Sequence, residues 1–436
     1  MVFTLRNAPT LLSTALIALT LLGAPANAAA DRLMAAIHAN NITALEALAR
    51  SAANPLQRSL AAGTVLALRA ENAAAIARLK AVVHSPAPGA LRAMAYIELA
   101  SVYIRAGRYG ASYSALRAAT RLSPHSMNFS DRQTMAFAHA LAAVKPMRQA
   151  RAASGSLRIR WDKAGLPRVP IDIDGQRQYA VLDTGAGFST ISASAAKRAG
   201  IRMLSQSVSV GSSTERAVAT RLGVAPRLRI GKTLLTNVVF IVMPDSALSF
   251  ANAAYKIDAI VGLPVFIALR RIEIASSGAN STFVYDAAGG KPADTAALPE
   301  SNLLLSGLEP LLLVCVPGAS GPLRMALDSG ANKTIFAHNA IADAPALLAH
   351  AERHALTLGG AGGQDRDRRA LLLPAVTLII DGRRFDLRNV PMMSRQSASS
   401  DGKIGEDILR QGAWVRLDFR TMRLTIAERE RLPTAR

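Results

Sequence analysis

Two short motifs with the same residue types carry the candidate chemistry of this chain. The first is Asp183-Thr184-Gly185-Ala186 and the second is Asp328-Ser329-Gly330-Ala331. Each follows an apolar run that predicts a strand, and each predicts a turn, because Asp caps turns and Gly accepts positive φ. One Asp-Ser/Thr-Gly triplet is a weak signal, since average composition supplies it in many chains of this size. Two triplets in matched contexts are a strong signal.

The sequence around the two motifs also matches. Ser189-Thr190-Ile191 follows the first motif, and Thr334-Ile335-Phe336 follows the second in the same register. Each half then holds a glycine-containing turn and ends in a similar motif, Asp258-Ala259-Ile260-Val261-Gly262-Leu263 in the first half and Gly402-Lys403-Ile404-Gly405-Glu406 in the second. The spacing from the aspartate to this later motif is nearly the same in both. These parallels indicate an internal duplication.

Two aspartates brought together would perform acid–base chemistry. Carboxylates within hydrogen-bond distance cannot both ionise easily, so one keeps a proton. The apparent pKa values then describe the pair and not either aspartate alone. The ionised partner can draw a proton from a water that attacks a carbonyl carbon, while the protonated partner polarises the carbonyl oxygen. This chemistry requires no metal ion, cofactor or covalent intermediate. Other signals are weak, since His350, Glu352 and His354 do not form a His-Glu-x-x-His motif.

On these motifs the chain resembles the aspartic peptidases, and more closely the retropepsin-like branch, whose lobes carry Asp-Thr-Gly-Ala and a later apolar-apolar-Gly motif. The resemblance covers roughly residues 157–427. It implies an all-β, bilobal acid-protease fold, with two lobes fused as in the pepsins and with Asp183 and Asp328 as the catalytic pair. The residues that would support this pair are Thr184, Gly185, Ser329 and Gly330. The flaps that would bind substrate contain Gly211, Ser212, Gly359 and Gly360.

Two departures from the family pattern modify these expectations. Both motifs end in alanine, at Ala186 and Ala331, where pepsin-type members have a hydroxyl group that can donate to a catalytic carboxylate. Because losing a donor to the charged form raises the pKa of the pair, we expect activity that extends to weakly acidic or neutral pH. Lys403 stands where the resemblance implies an apolar residue, and we expect it to affect lobe packing more than the two aspartates.

The N-terminus has the pattern of a secretory signal peptide. Arg6 precedes an apolar run from Leu11 to Leu22, and Ala26-Asn27-Ala28 is a small-residue cleavage pattern. This run is shorter than the roughly 20 apolar residues that span a bilayer. Residues 1–28 are therefore predicted to be a signal peptide that is cleaved after Ala28. The mature protein is predicted to be periplasmic or secreted, without stable membrane insertion.

Composition bears on two further classes of protein. The net charge of +21 raises the question of nucleic acid. The basic residues are mostly Arg, scattered between apolar positions without interleaved aromatic residues, so they favour a solvated basic surface and no nucleic-acid partner. The single cysteine, Cys315, cannot close an internal disulfide and lies in an apolar run. We expect it to be buried and structural.

Residues 29–145 are rich in alanine and have the apolar period of helices. The window from Tyr96 to Pro124 resembles a tetratricopeptide repeat (TPR), in which small and large residues alternate so that two antiparallel helices pack closely. A TPR-like array of helical hairpins and a generic helical bundle both remain open. In either case the region carries no catalytic constellation, and docking of a protein partner is the role expected for it.

The chain is therefore expected to be multidomain, with an all-α region followed by an all-β region. The expected units are a helical domain at 29–145, a first lobe at 157–286, an inter-lobe linker at 287–301 and a second lobe at 302–428. The expected function is an aspartic endopeptidase that cleaves envelope or extracellular polypeptides. Two alternatives remain open. The first alternative is a non-catalytic periplasmic peptide-binding module that is recruited through the helical repeats. The second is a helical adaptor whose β-rich region is merely structural.

Overall fold

The computed structural model describes residues 24–210, 218–250, 254–276, 280–290, 301–360, 363–397 and 399–429. The predicted order of helices first and strands afterwards is confirmed. Residues 1–23 of the predicted signal peptide lie outside the described residues. The N-terminal helices are α1 (Ala24–His38), α2 (Ile42–Ser51), α3 (Pro55–Leu68), α4 (Asn72–Val83), α5 (Gly89–Arg105), α6 (Tyr109–Leu122) and α7 (Phe129–Ala140). Within the described ranges, no helix combines the length and apolarity that crossing a membrane requires.

Capping residues determine where several helices begin. The side chains of Asn41 and Asn54 accept backbone N–H groups in the first turns of α2 and α3. Pro55 occupies the start of α3, where its missing N–H costs no helical hydrogen bond. At α7, Asn128 and Asp131 form a reciprocal capping box. The inner faces of the helices form one apolar cluster, which includes Leu45, Leu60, Leu79, Leu99 and Leu116.

The β-rich region divides into two halves. Strands of the first half are β1 (Arg148–Arg151), β2 (Ser154–Arg158), β3 (Arg160–Trp161), β4 (Pro167–Ile173), β5 (Gln176–Leu182), β6 (Ser189–Ser192), β7 (Arg202–Val210), β8 (Val218–Ile230), β9 (Thr233–Met243), β10 (Ser249–Phe250), β11 (Tyr255–Lys256), β12 (Ala259–Val261), β13 (Arg271–Ala275) and β14 (Thr282–Asp286). Its short helices are α8 (Ala193–Arg198) and α9 (Leu263–Leu269), and a 3-10 turn spans Asp245–Leu248.

Strands of the second half are β15 (Leu303–Ser306), β16 (Glu309–Val314), β17 (Leu323–Leu327), β18 (Ile335–Phe336), β19 (Glu352–Arg353), β20 (Leu356–Gly360), β21 (Gly363–Asp367), β22 (Leu371–Ile380), β23 (Arg383–Met392), β24 (Gly402–Ile404), β25 (Trp414–Asp418) and β26 (Arg423–Ile426). This half also contains the short helix α10 (Glu406–Leu409) and 3-10 turns at His338–Ala342 and Pro345–Leu348.

Asp-Gly turns set the register of two hairpins. Asp174 and Gly175 have φ values of 51° and 94° and join β4 to β5, so that Ile173 pairs with Gln176. Asp381 and Gly382, with φ values of 53° and 74°, join β22 to β23 in the same way. Two-residue hairpin turns need positive φ at their central residues, which Asp tolerates and Gly adopts freely. The first of these hairpins delivers β5 to the motif at Asp183.

The two halves share the same strand pairing around their Asp-Ser/Thr-Gly motifs. In the first half β12 lies parallel to β5 and antiparallel to β6. In the second half β24 lies parallel to β17 and antiparallel to β18. The next pairings, β6 with β9 and β18 with β23, are both parallel. The duplicated sequence thus forms duplicated topology.

A five-stranded sheet with the order β2-β14-β13-β25-β26 joins the halves. β13 of the first half pairs antiparallel with β25 of the second, from Arg271↔Asp418 to Ala275↔Trp414. An apolar layer lies between this sheet and the two motifs and contains Leu182, Ile272, Ile274, Leu327, Val415 and Leu417. The position of one half against the other is therefore fixed directly beneath the motifs.

Cys315 is exposed, so the expectation of a buried cysteine is wrong. It follows β16 and forms an isolated bridge with Ile379. Val314 is fully buried in the core. Because neighbouring residues of an extended chain point to opposite faces, Cys315 faces away from that core.

Candidate active site

Asp183 and Asp328 lie side by side, each directly after the strand that leads to it. A β-carbon added at Gly185 would lie 2.6 Å from Asp328 Cγ, and one added at Gly330 would lie 2.5 Å from Asp183 Cγ. No side chain can be accommodated at such distances, so each half requires glycine where the aspartate of the other half approaches. The contact is reciprocal, and it places both carboxyl groups at the junction of the two halves.

Backbone N–H groups orient each carboxylate. Asp183 Oδ1 accepts hydrogen bonds from Gly185 N–H at 2.9 Å and from Ala186 N–H at 3.1 Å. Asp328 Oδ1 accepts one from Gly330 N–H at 3.0 Å. Burial and the neighbouring Asp328 carboxylate raise the pKa of Asp183 to about 7. The site therefore favours one protonated carboxyl group at weakly acidic pH.

A ladder of hydrogen bonds beneath the aspartates connects the two motifs. Thr184 Oγ1 donates to the carbonyl of Leu327 at 2.8 Å and accepts from Ser329 N–H at 3.1 Å. Ser329 Oγ donates to the carbonyl of Leu182 at 3.0 Å and accepts from Thr184 N–H at 3.0 Å. Both hydroxyl side chains are buried. The ladder holds each motif through the backbone of the other.

The later glycines pack against the loops that carry the aspartates. A β-carbon at Gly262 would lie 2.7 Å from the carbonyl oxygen of Ala186, and one at Gly405 would lie 2.8 Å from that of Ala331. The residues after these glycines, Leu263 and Glu406, donate their N–H groups to the same two carbonyls, each at 2.8 Å. Each apolar-Gly motif therefore supports the loop of its own half, and only glycine fits this close approach.

Lys403 breaks the symmetry of the site. Its Nζ donates to Asp328 Oδ2 at 2.8 Å, and the Asp328 carboxylate raises the pKa of Lys403. The expectation that Lys403 affects lobe packing more than the aspartates is wrong. Because β24 lies beside β17, Lys403 pairs with Ala326, which shares a face with Asp328 two positions further on. The equivalent position in the first half is Ile260, which pairs with Val181. Comparison of the two repeats is the signal that could have identified Lys403.

Two further carboxyl groups near Asp328 were not identified from the sequence. Burial raises the pKa of Glu309, and the Asp328 carboxylate acts in the same direction while Lys403 opposes it. Burial also raises the pKa of Glu406 to about 8. Glu309 had no sequence signal, since its proximity depends on the pairing of β16 with β17. In the part of the chain that the structure describes, no three His, Cys, Asp or Glu side chains are grouped as a metal site.

Residues of the helical region belong to the apolar clusters that include the strands leading to the two aspartates. Val181 shares a face with Asp183, and Ala326 shares a face with Asp328, because residues two apart in a strand point the same way. Val181 is 1% exposed and Ala326 is 3% exposed. Ala326 pairs with Leu311, which is fully buried. The two residues lie in different apolar clusters. One contains Val181 with the helical residues Ile104, Tyr109 and Leu141, and the other contains Ala326 and Leu311 with Leu99 and Leu116.

Specific contacts hold the helical region against both halves of the β-rich region. Helix α7 packs on β7 of the first half, and α3 packs on β15 of the second. Phe188, which follows the first motif, lies between Phe137 and Tyr109, with ring centroids at 5.6 Å and 6.3 Å respectively. On the other side, Asn40 Nδ2 donates to the carbonyl of Ser399 at 3.1 Å. The helical region therefore bridges the two halves across the side of the molecule that contains the aspartates.

The two predicted flaps differ in what the structure describes. Gly359 and Gly360 lie at the end of β20, which forms a hairpin with β21, and Gly360 pairs with Gly363. Gly211 and Ser212 lie outside the described residues. The strands that flank them, β7 and β8, pair antiparallel up to Val210↔Val218.

Residues 169–265 match the family model described as Aspartyl protease. The matched segment includes the first motif, Asp183 to Ala186, and the later Gly262. It therefore supports an aspartyl protease domain in the first half of the β-rich region. The comparison with curated proteins returns no relative of this chain.

Proposed function

We propose that the chain is an aspartic endopeptidase in which Asp183 and Asp328 form one catalytic pair shared by two lobes. The observation that carries the proposal is the reciprocal approach of each aspartate to the glycine of the other motif, Gly330 or Gly185. The family match supports the role of the first half, and the shared strand pairing extends the argument to the second.

In the proposed reaction, one aspartate is ionised and accepts a proton from a bound water as the water oxygen bonds to the peptide carbonyl carbon. The other aspartate is protonated and donates to the carbonyl oxygen, on which negative charge develops. When the C–N bond breaks, the proton taken from water passes to the leaving nitrogen. The raised pKa of Asp183, about 7, keeps that carboxyl group protonated up to near-neutral pH. Activity is therefore expected to extend to weakly acidic or neutral pH.

The proposal also covers where the enzyme acts and what its flaps and helical region do. The N-terminal pattern supports export with cleavage after Ala28, and hence a periplasmic or secreted enzyme that acts on envelope or extracellular polypeptides. The hairpin at Gly359 and Gly360, with the segment at Gly211 and Ser212, would form the flaps over an extended substrate. The helical region would be a TPR-like array that also offers a surface to a protein partner.

The test is cleavage of an unfolded protein by the chain that begins at Ala29, assayed from about pH 3 to pH 8. Asp183→Asn and Asp328→Asn should each abolish cleavage, and a statine-type inhibitor should block the wild type. Asp258→Asn is the matched control, because Asp258 is half-exposed and its nearest cation is Arg198 at 3.7 Å. Cleavage that survives either of the first two substitutions would contradict a shared catalytic pair.

One observation favours a second candidate, a non-catalytic peptide-binding module. Lys403 forms an ion pair with Asp328, which would neutralise that carboxylate in a site that only binds. In this case the wild type, Asp183→Asn and Asp328→Asn would all be inert toward the substrate, while an extended peptide would bind equally to all three.

A further inference from the structure

Apart from Lys403 and the carboxyl groups of Glu309 and Glu406 near Asp328, the hydrogen bonds around the two aspartates are nearly symmetric. Each Oδ1 is held by N–H groups of its own motif, and the hydroxyl ladder is reciprocal. A symmetric pair shares one proton without preference for either carboxyl group. The position equivalent to Lys403 in the first half is Ile260, which carries no charge. The ammonium group therefore favours charge on one aspartate, Asp328, and not on the other.

The other ionisable groups that face Asp328 do not offset this effect. Among the residues that the structure describes, they are Asp183 after β5, Glu309 at the start of β16 and Glu406 at the start of α10. The pKa of each carboxyl group is raised with burial as the first cause, so burial favours the neutral form of all three. Lys403 is then the charged partner in direct contact with Asp328, at 2.8 Å.

We propose that Lys403 is a positioning residue that assigns the two catalytic roles, making Asp328 the base and Asp183 the acid. This inference rests on the proposed peptidase function. Asp328, ionised against the ammonium group, takes a proton from water as the water oxygen bonds to the carbonyl carbon. Asp183 gives its proton to the carbonyl oxygen, and Asp328 returns the first proton to the leaving nitrogen. As the C–N bond breaks and the carbonyl re-forms, Asp183 recovers its proton.

The test follows the two carboxyl groups by NMR of protein with isotopically labelled aspartate, assigned by difference from Asp183→Asn and Asp328→Asn. In the wild type, the Asp183 carboxyl group should titrate near pH 7. Lys403→Met keeps most of the side-chain volume without the charge. The titration of Asp183 should then move to higher pH by about one unit or more, since an adjacent cation is lost.

Lys403→Arg should restore the wild-type titration, and Lys232→Met, at an exposed turn between β8 and β9, should leave it unchanged. The pH profile of kcat/KM should move in the same direction as the Asp183 titration in Lys403→Met. Titration curves of Lys403→Met that superimpose on the wild type would overturn the assignment. Failure of the proposed function gives a different result, in which no variant cleaves substrate at any pH while the NMR titration still decides the role of Lys403.

A separate observation, the burial of Val181 and Ala326 under the helices, carries a second inference. Both residues precede an aspartate by two positions, so they line the floor on which an extended substrate must lie. Both are nearly fully buried, in apolar clusters that include residues of the helical region. We infer that the helical region is an inhibitory cover that must move away before a polypeptide reaches the aspartates. Its contacts at Phe188 and Ser399 hold it closed.

The test weakens a contact between the helical region and the first half, and measures how exposed position 326 becomes. Phe137→Ala removes the ring stacked on Phe188 at 5.6 Å. Phe129→Ala is the matched control, because Phe129 lies on the same helix and is 66% exposed. Exposure is the rate at which a thiol introduced by Ala326→Cys is alkylated in a Cys315→Ser background. Phe137→Ala should raise this rate and the rate of substrate cleavage by about two- to tenfold, the range expected for loss of one aromatic pair.

Asn40→Gly is a second variant that weakens the contact of the helical region with the β-rich region, here with the second half. It abolishes the hydrogen bond to Ser399, and glycine adopts without strain the φ of 50° at this position. It should change both rates in the same direction as Phe137→Ala, with circular dichroism reporting that the helices remain folded. Faster alkylation without faster cleavage in both variants would overturn the inhibitory role.

Discussion

Replacing Thr184 with valine should destabilise the β-rich region by about 2–6 kcal/mol. The Thr184 hydroxyl group donates to the carbonyl of Leu327 and accepts from Ser329 N–H. Valine has nearly the same shape but makes neither bond, so a buried acceptor and a buried donor both lose their partner. Each unpaired buried group costs about 1–3 kcal/mol, and the sum gives the expected loss.

The assay is urea denaturation followed by tryptophan fluorescence. The chain has two tryptophans, and both Trp161 and Trp414 lie in the β-rich region, so the signal reports that region and not the helices. Trp414 lies on β25, in the sheet that joins the halves. The free energy of unfolding is obtained by linear extrapolation to zero urea, and helical signal from circular dichroism is followed in parallel.

Two threonines provide matched controls. The Thr220 hydroxyl group donates to a single buried carbonyl, that of Val208, at 2.8 Å, so Thr220→Val should cost about 1–3 kcal/mol, half the loss expected for Thr184→Val. The Thr64 hydroxyl group is buried without a hydrogen-bond partner among the described residues, so Thr64→Val should be neutral or stabilising. If Thr184→Val cost no more than Thr220→Val, the ladder would not join the halves energetically and the reasoning would be refuted.

Three further predictions concern the site and the buried charges. Gly330→Ala should abolish cleavage, because the added carbon would lie 2.5 Å from Asp183 Cγ; this is measured as kcat/KM. Asp401→Asn should cost about 3–5 kcal/mol in the urea assay, because it leaves the buried Arg324 guanidinium without its closest carboxylate at 2.8 Å. Burial raises the pKa of Glu98 to about 8, so the protonated form favours folding. This stability is present below about pH 4.5 and is lost as pH rises through 8, so Glu98→Gln should raise Tm progressively over that range.

Each of these predictions has its own control or contrary outcome. Gly321→Ala should leave cleavage unchanged, since an added carbon there meets nothing within 4 Å. Asp343→Asn, which removes the more exposed partner of Arg324, should cost less than Asp401→Asn, and the reverse order would contradict the burial argument. A Tm difference between Glu98→Gln and wild type that does not change with pH would show that Glu98 ionises freely in the folded protein.

The sequence by itself determined the features that depend on local chemistry and on repetition. The two Asp-Ser/Thr-Gly-Ala motifs predicted turns after strands, and the structure has Asp183 and Asp328 at such turns. The repeat predicted equivalent pairing in the two halves, since similar sequences adopt similar topology, and the pairings of β12 and β24 are equivalent. The change from helical period to short strands predicted the order of the two regions. Each of these features is encoded within a few tens of residues.

The tertiary structure alone decided which side chains meet across the chain. Lys403 reaches Asp328 because two strands distant in sequence lie parallel, and no local pattern specifies that neighbour. Glu309 enters the site through the antiparallel pairing of β16 with β17, which its own sequence neighbours do not specify. The exposure of Cys315 depends on which face of its strand meets the core. The apolar clusters that join helical residues to Val181 and Ala326 depend on packing between two regions, and the sequence of each region alone predicts only its own core. Such contacts arise from long-range burial, which periodicity and motif spacing do not encode.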